Sequence, residues 1–164
     1  DAKTVQAADP TRVAYLTQTT LSVDDTLAIV EVLRRRFPSI RGPRKDDICY
    51  ATQNRQSAVK DLARSCSLIL VVGSRESSNS SRLVEVARAA GARAHLVNDA
   101  GDVDPSWLRG CARVGVTSGA STPESLVGGV LDRIRQLGPI EVSELRTATE
   151  EVTFPLPVEL RGTP

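Results

Sequence analysis

Apolar and polar positions follow one another in blocks along this chain, and the blocks repeat in the order strand, turn, helix. Residues 12–16 (RVAYL) form a short apolar run that predicts a strand, followed by a hydroxyl-rich turn at 17–22 (TQTTLS). Ser22 can cap a helix running to about Arg36, because Val23, Leu27, Val30 and Leu33 fall at helical spacing. Pro38 ends it. The stretch 39–47 (SIRGPRKDD) reads as a loop by its Gly, Pro and charge. A second helix is predicted from about Thr52 to Ser65.

Residues 68–72 (LILVV) are an uninterrupted aliphatic run, the pattern of a strand buried on both faces. Gly73 ends it, and the polar turn 74–81 (SRESSNSS) leads into a helix from about Ser80 to Ala90, with Gly91 as its stop. Residues 93–97 predict another strand, 105–108 a short helix, and 113–116 a further strand. The turn 117–122 (TSGAST) precedes Pro123, which suits the first position of a helix reaching about Leu137. Residues 140–145 suggest one more strand. The segment 150–157 (EEVTFPLP) is at most an edge strand or arm, because two prolines break it. Strands alternating with helices predict an α/β fold with a parallel sheet flanked by helices.

Composition narrows the function classes. Lys and Arg number 21 against 20 Asp and Glu, a balance that argues against non-specific nucleic-acid binding. No run of 18 apolar residues is present to span a membrane. The first residues lack the basic and apolar blocks of a secretory signal. Methionine is absent and the chain starts in a polar stretch, which together lead us to expect a truncated or processed chain. Cys49, Cys66 and Cys111 are odd in number and widely spaced, so no disulfide framework is expected, and no C-x-x-C pair suggests zinc. A cytoplasmic-type reducing compartment is the expectation.

Candidate chemistry lies in three turns. In a parallel α/β sheet, ligands collect where strands end and helices begin. The turns Thr17-Gln18-Thr19-Thr20, Ser77-Ser78-Asn79-Ser80 and Ser118-Gly119-Ala120-Ser121-Thr122 are each rich in hydroxyl or amide groups and each lead to a helix start. Helix N-termini offer free N–H groups and the positive end of the helix dipole, so such turns can cradle an anion. Taken singly, each turn is an ordinary set of helix caps. Taken together on one rim, they could hold a multiply charged anion such as a diphosphate. Both readings stand on the residues alone.

Cys49 follows Asp46 and Asp47 and precedes a helix, where a thiol is suited to metal ligation or nucleophilic attack; a buried, inert thiol is the competing reading. Cys66 and Cys111 stand just before predicted strands. A five-residue strand separates its two ends by roughly 16 Å, so these thiols are not expected to join Cys49. His95, the single histidine, lies within a predicted strand and reads as structural. There is no G-x-S-x-G, G-x-G-x-x-G or Walker A sequence, so neither a hydrolase triad nor a nucleotide-binding loop is supported.

The segments TQTTLSVDDT (17–26), GPRKDDICYATQNRQ (42–56), VVGSRESSNSSRL (71–83) and GVTSGASTPE (115–124), with TFPLP at 153–157, resemble the characteristic blocks of 4-hydroxy-3-methylbut-2-enyl diphosphate reductases. The blocks occur in the family's order and the resemblance runs from about Arg12 to Leu160. It implies three α/β units around a central cavity, and an iron–sulfur oxidoreductase of the non-mevalonate isoprenoid pathway. That enzyme removes the hydroxyl of an allylic diphosphate with two electrons, giving isopentenyl and dimethylallyl diphosphates. The resemblance implies a [4Fe–4S] cluster held by three cysteines, with ferredoxin or flavodoxin as electron donor.

Carried over by residue, Cys49 matches the last cluster cysteine. Thr19 matches a threonine that contacts substrate near its hydroxyl and supports proton relay. Ser77, Ser78, Asn79 and Ser121 match diphosphate ligands. The family's first two cluster cysteines, its substrate-binding histidines and its catalytic glutamate have no counterpart here, and Cys66 and Cys111 stand outside its motifs. We therefore expect a bacterial, cytoplasmic, C-terminal portion of such a reductase, inactive alone and lacking an N-terminal half. Residues 1–44 would be the remainder of the second α/β unit, 45–137 the third unit and 138–164 a C-terminal arm. Two rivals are a non-catalytic diphosphate-binding module and one subunit of a split enzyme.

Overall fold

The computed structural model describes residues 1–43 and 47–147. Three parallel strands, β1 (Leu68–Val72), β2 (Arg93–Val97) and β3 (Val114–Ser118), form one sheet in the order β2-β1-β3. Leu68 stands opposite Arg93 on one side and Val114 on the other, so the strands start level. All five β1 residues are fully buried, as the aliphatic run predicts for a central parallel strand.

Period-two alternation divides β1 between two cores. Ile69 and Val71 face Val59, Leu83, Val84 and Ala87, which come from α2 (Tyr50–Ser65) and α3 (Ser78–Ala89). Leu68, Leu70 and Val72 face Val97, Val103, Val130 and Ile134 on the opposite side, where α5 (Glu124–Leu137) packs. Each fully buried Leu, Ile or Val contributes about 1.5–3 kcal/mol relative to exposure. The sheet is thus sandwiched between helices, the α/β layering expected from the sequence. A 3₁₀ turn (Ala100–Asp102) and the short α4 (Pro105–Leu108) connect β2 to β3. Gly91 ends α3 with φ +92°, the left-handed conformation that suits glycine at a helix stop.

The helix α1 (Val23–Arg36) starts where the sequence places it, with the Ser22 hydroxyl accepting from the Asp25 N–H at 3.2 Å. Its predicted apolar face is incompletely covered: Val30 is buried, whereas Leu27 is 62% exposed.

Two predicted strands need correction. Residues 12–16 form no ladder; Ala14 makes a single parallel bridge with Arg41. Residues 140–145 are likewise unpaired, and Ile140, Val142 and Leu145 stay exposed. An apolar run becomes a strand only when another strand offers its backbone groups. Residues 150–157 lie outside the described residues. Other boundaries shift slightly: α2 begins at Tyr50 and α3 at Ser78, earlier than expected, and β3 spans Val114–Ser118. Pro123 caps α5 from outside the helix.

Candidate functional site

The carboxyl ends of β1 and β3 bring two of the hydroxyl turns into contact. The Gly119 N–H donates to the Val72 carbonyl at 3.0 Å, and the Thr122 hydroxyl donates to the same oxygen at 3.0 Å. The last residue of β1 therefore anchors the turn after β3. On the other side, the Gly73 N–H donates to the Val97 carbonyl at 2.9 Å, extending the ladder one residue past β1.

Ser80 fills the space between these turns. A Cβ on Gly73 would stand 2.3 Å from Ser80 Oγ, and one on Gly119 would stand 2.2 Å from the same atom. Glycine is required at both positions so that two backbones and one hydroxyl can converge. Ser77 caps α3 by accepting from the Ser80 N–H at 3.2 Å, while Ser80 Oγ donates to Ser77 Oγ at 3.1 Å. Ser77 is half-buried, Ser78 exposed, and Ser121 exposed on the facing turn.

Asn79, at the second position of α3, is buried, yet neither its amide nitrogen nor its amide oxygen has a hydrogen-bond partner. A buried, unmatched amide costs roughly 1–3 kcal/mol, and Asn79 carries that cost at the start of α3.

The third turn is fastened to the cysteine loop. Asp47 accepts from the Thr17 N–H at 2.7 Å, and the Cys49 N–H donates to the Thr19 carbonyl at 3.4 Å. Ile48 is buried between them, its carbonyl accepting from Gln53 Nε2 at 2.7 Å. Cys49 is the N-cap of α2 and exposed, with its sulfur 3.0 Å from the buried Thr52 hydroxyl. The Thr19 side chain is exposed beside it. Gln56 ties α2 to the start of α1: it accepts from the Val23 N–H at 3.0 Å and donates to the Leu21 carbonyl at 2.8 Å.

Sequence reasoning passed over Arg55. Its Nη1 donates to the Ser118 carbonyl at 3.3 Å, joining α2 to the end of β3, while its Nε is buried and unbonded. The available signal was the absence of any Asp or Glu three or four residues away on α2. Arg35, Arg64, Arg82 and Arg135 all pair with carboxylates at that spacing.

The other cysteines stand apart. Cys49 and Cys66 cap opposite ends of the 16-residue α2, which separates them by about 25 Å along the helix. Cys111 precedes β3 at the amino ends of the strands, with Arg93 Nη2 2.9 Å from its sulfur. Among the described residues no three His, Cys, Asp or Glu side chains gather as a metal site. Cys49 thus fits one thiolate ligand of an iron–sulfur cluster, and these residues do not fit the complete ligand set. His95 stacks on Trp107 with ring centroids 3.8 Å apart and planes 7° from parallel. Burial, then the Arg88 and Arg93 charges, lower its pKa. This places the histidine in a packing role at the sheet edge.

Residues 1–135 match the family model described as LytB protein. The chain belongs to the LytB protein family. It is 56% identical over 158 residues to the 4-hydroxy-3-methylbut-2-enyl diphosphate reductase of Xanthomonas axonopodis pv. citri (strain 306), covering 96% of this chain and 50% of that protein. The reductase of Xanthomonas campestris pv. campestris (strain B100) shows the same identity and coverage. The chain spans about half the length of these curated relatives.

Among solved structures, the E-1-hydroxy-2-methyl-but-2-enyl-4-diphosphate reductase of Plasmodium falciparum superposes with a TM-score of 0.76 at 36% identity, over 80% of this chain and 41% of that one. A second structure, of (E)-4-hydroxy-3-methyl-but-2-enyl diphosphate reductase, described as the terminal enzyme of the non-mevalonate pathway, gives a TM-score of 0.53 at 29% identity. It is covered over 43% of its length by 76% of this chain. The family resemblance read from the sequence blocks is thereby established, as is the parallel α/β fold of this LytB-family chain. Among the described residues no helix is long and apolar enough to cross a membrane.

Proposed function

We propose that this chain is the C-terminal portion of a cytoplasmic 4-hydroxy-3-methylbut-2-enyl diphosphate reductase, contributing the diphosphate cradle and one cluster cysteine to an enzyme completed by an N-terminal half. The observation that carries this reading is the convergence of the turns after β1 and β3 around Ser80, beside the unbonded amide of Asn79. Ser77, Ser78, Asn79 and Ser121 hold the diphosphate by neutral donors and by the N–H groups at the start of α3. The Asn79 amide then gains the partner it lacks in the free chain.

Cys49, steadied by the Thr19 carbonyl and the Thr52 hydroxyl, presents its thiolate at the same rim. When bound, a [4Fe–4S] cluster supplies the electrons and a Lewis-acidic iron for the loss of an allylic hydroxyl. Thr19, exposed beside Cys49, positions the substrate hydroxyl and passes a proton toward it. The unit formed by residues 45–137 does the binding, residues 1–44 complete a neighbouring α/β unit, and 138–164 act as an arm. Ferredoxin or flavodoxin delivers the electrons.

Calorimetry of the chain with pyrophosphate tests the cradle. Binding that is lost in Asn79→Ala and in Ser77→Ala supports it. No heat at millimolar pyrophosphate would sink it. Mixing the chain with the N-terminal half of a relative and assaying reduction of the allylic diphosphate tests the enzyme. Pyrophosphate binding without activity in the mixture would instead favour a non-catalytic anion-binding module.

A further inference from the structure

The helices α1 and α3 begin at Ser22 and Ser77, and each hydroxyl accepts from a backbone N–H of its own first turn. The helix α2 begins at Cys49, whose sulfur accepts no such bond. That sulfur instead lies 3.0 Å from the hydroxyl oxygen of Thr52. Thr52 holds the third position of α2, from which a polar side chain can reach back to the N-cap. In a capping box it would meet the N-cap N–H, but the Cys49 N–H donates to the Thr19 carbonyl. The hydroxyl is left for the sulfur, its one hydrogen-bond partner among the described residues.

Thr52 is 1% exposed, whereas Cys49 is exposed. A buried hydroxyl needs a partner, and here an exposed sulfur supplies it. The bond therefore holds the cysteine from its buried side and leaves its solvent side free. A ligating sulfur carries no proton, so beside bound iron Thr52 is the donor and Cys49 the acceptor.

Resting on the reading of Cys49 as a cluster ligand given above, we propose that Thr52 is a positioning residue for the iron–sulfur cluster. Its hydroxyl fixes the Cys49 sulfur and, by donating to it, raises the reduction potential of the cluster that the sulfur ligates. Hydrogen bonds to the sulfurs help set such potentials, because a donor stabilises the more negative, reduced state more than the oxidised one.

The test uses the full chain mixed with the N-terminal half of a LytB relative and reconstituted anaerobically with iron and sulfide. Iron counting gives the loading, and a redox titration followed by absorption gives the midpoint potential. Thr52→Val keeps the shape of the side chain and removes the hydroxyl; Thr52→Ser keeps the hydroxyl. The loaded Thr52→Val assembly should be roughly tenfold harder to reduce, a midpoint about 59 mV lower for a one-electron couple. Thr52→Ser should stay within about twofold of the unaltered assembly. In the unaltered assembly, transfer from H2O to D2O should shift the iron–thiolate stretching bands in resonance Raman spectra, and Thr52→Val should lose part of that shift.

A purely structural Thr52 would change the melting temperature or the iron content and leave the midpoint where it is. A loaded Thr52→Val assembly with the original midpoint overturns the proposal, and so does a Thr52→Ser midpoint that falls as far as that of Thr52→Val. If Thr52→Val does not load, the absence of a D2O shift in the unaltered assembly overturns it equally. In each of these cases the cluster forms, so Cys49 stands as a ligand and only the role of Thr52 falls. If the two folded halves assemble no cluster at all, the reading of Cys49 fails and the role of Thr52 with it.

Discussion

Ser80 Oγ lies where a side chain on Gly119 would have to be: a Cβ there would approach it to 2.2 Å. Two helix-start turns from different strands are thus locked together by one small hydroxyl. The relationship explains why Ser80 is almost completely buried at 1% exposure in a polar turn whose Ser74, Arg75, Glu76 and Ser78 are exposed.

Gly119→Ala is expected to force Ser80 and the turn apart. Overpacking of this kind costs about 1–3 kcal/mol. The melting temperature should fall, and pyrophosphate affinity should fall with it, because the cradle opens. Gly128→Ala is the control: nothing lies within 4 Å of a Cβ at that position, which is helical, so stability should hold or rise. Thermal unfolding of both variants decides the matter; equal melting points would show that the turns are not locked.

Gln56 is the second structural tie. It is 1% exposed and bonds two backbone groups at the start of α1 through its two amide atoms. Gln56→Leu keeps the volume but leaves the Val23 N–H and Leu21 carbonyl without those partners, at a cost of about 1–3 kcal/mol for each group left buried. Hydrogen exchange should accelerate in α1 and leave β1 unchanged. Uniform acceleration across both would show that α1 and the sheet unfold as one.

What was legible in the sequence depended on how local the cause is. The runs 68–72 and 93–97 give β1 and β2 to the residue, because an aliphatic stretch between turns has few alternatives. The run of Ser and Asn at 77–81 could not say which residue caps α3. Ser77 is selected by Ser80, which must fill the space beside Gly73 and Gly119. Residues 12–16 have the right pattern for a strand but only one bridging partner. The turns at 77–80 and 118–122 were readable as hydroxyl-rich approaches to helix starts. Their contact was not, since it depends on β1 and β3 being neighbours. Arg55 escaped because its meaning lies in a missing acid and a partner 63 residues away.

The single tryptophan gives a pH readout. Trp107 stacks on His95, whose pKa lies below its usual 6.5, chiefly by burial and then through Arg88 and Arg93. Because the folded value is depressed, the unfolded chain takes up a proton first as pH falls. The stabilising contribution is present above about pH 6.5 and is lost as pH falls through the folded pKa. Trp107 fluorescence should therefore titrate with a midpoint below 6.5, and the melting temperature should drop between pH 7 and 5. His95→Gln should remove the fluorescence step. A midpoint above 6.5 would mean that the neutral ring is not the favoured stacked form.

Cysteine geometry makes the last prediction. Cys49 is exposed at the N-cap of α2, Cys66 is 8% exposed at its far end, and Cys111 lies before β3. Cys49 should alkylate first and Cys66 last under native conditions. A cubane cluster needs its thiolates within a few ångströms of one another, and α2 alone holds Cys49 and Cys66 about 25 Å apart. Anaerobic reconstitution with iron and sulfide should then leave the isolated chain well short of four irons while its circular dichroism stays folded. Supplying the N-terminal half of a LytB relative should raise the iron content and bring in the broad cluster absorption. It should also protect Cys49, but neither Cys66 nor Cys111, from alkylation. Four irons bound per chain without that half would require a rearrangement of α2 that brings Cys66 or Cys111 to Cys49, whereas a cluster shared between copies would leave fewer than four irons per chain. Sedimentation at increasing protein concentration would separate the two, because only the shared cluster makes iron content follow self-association.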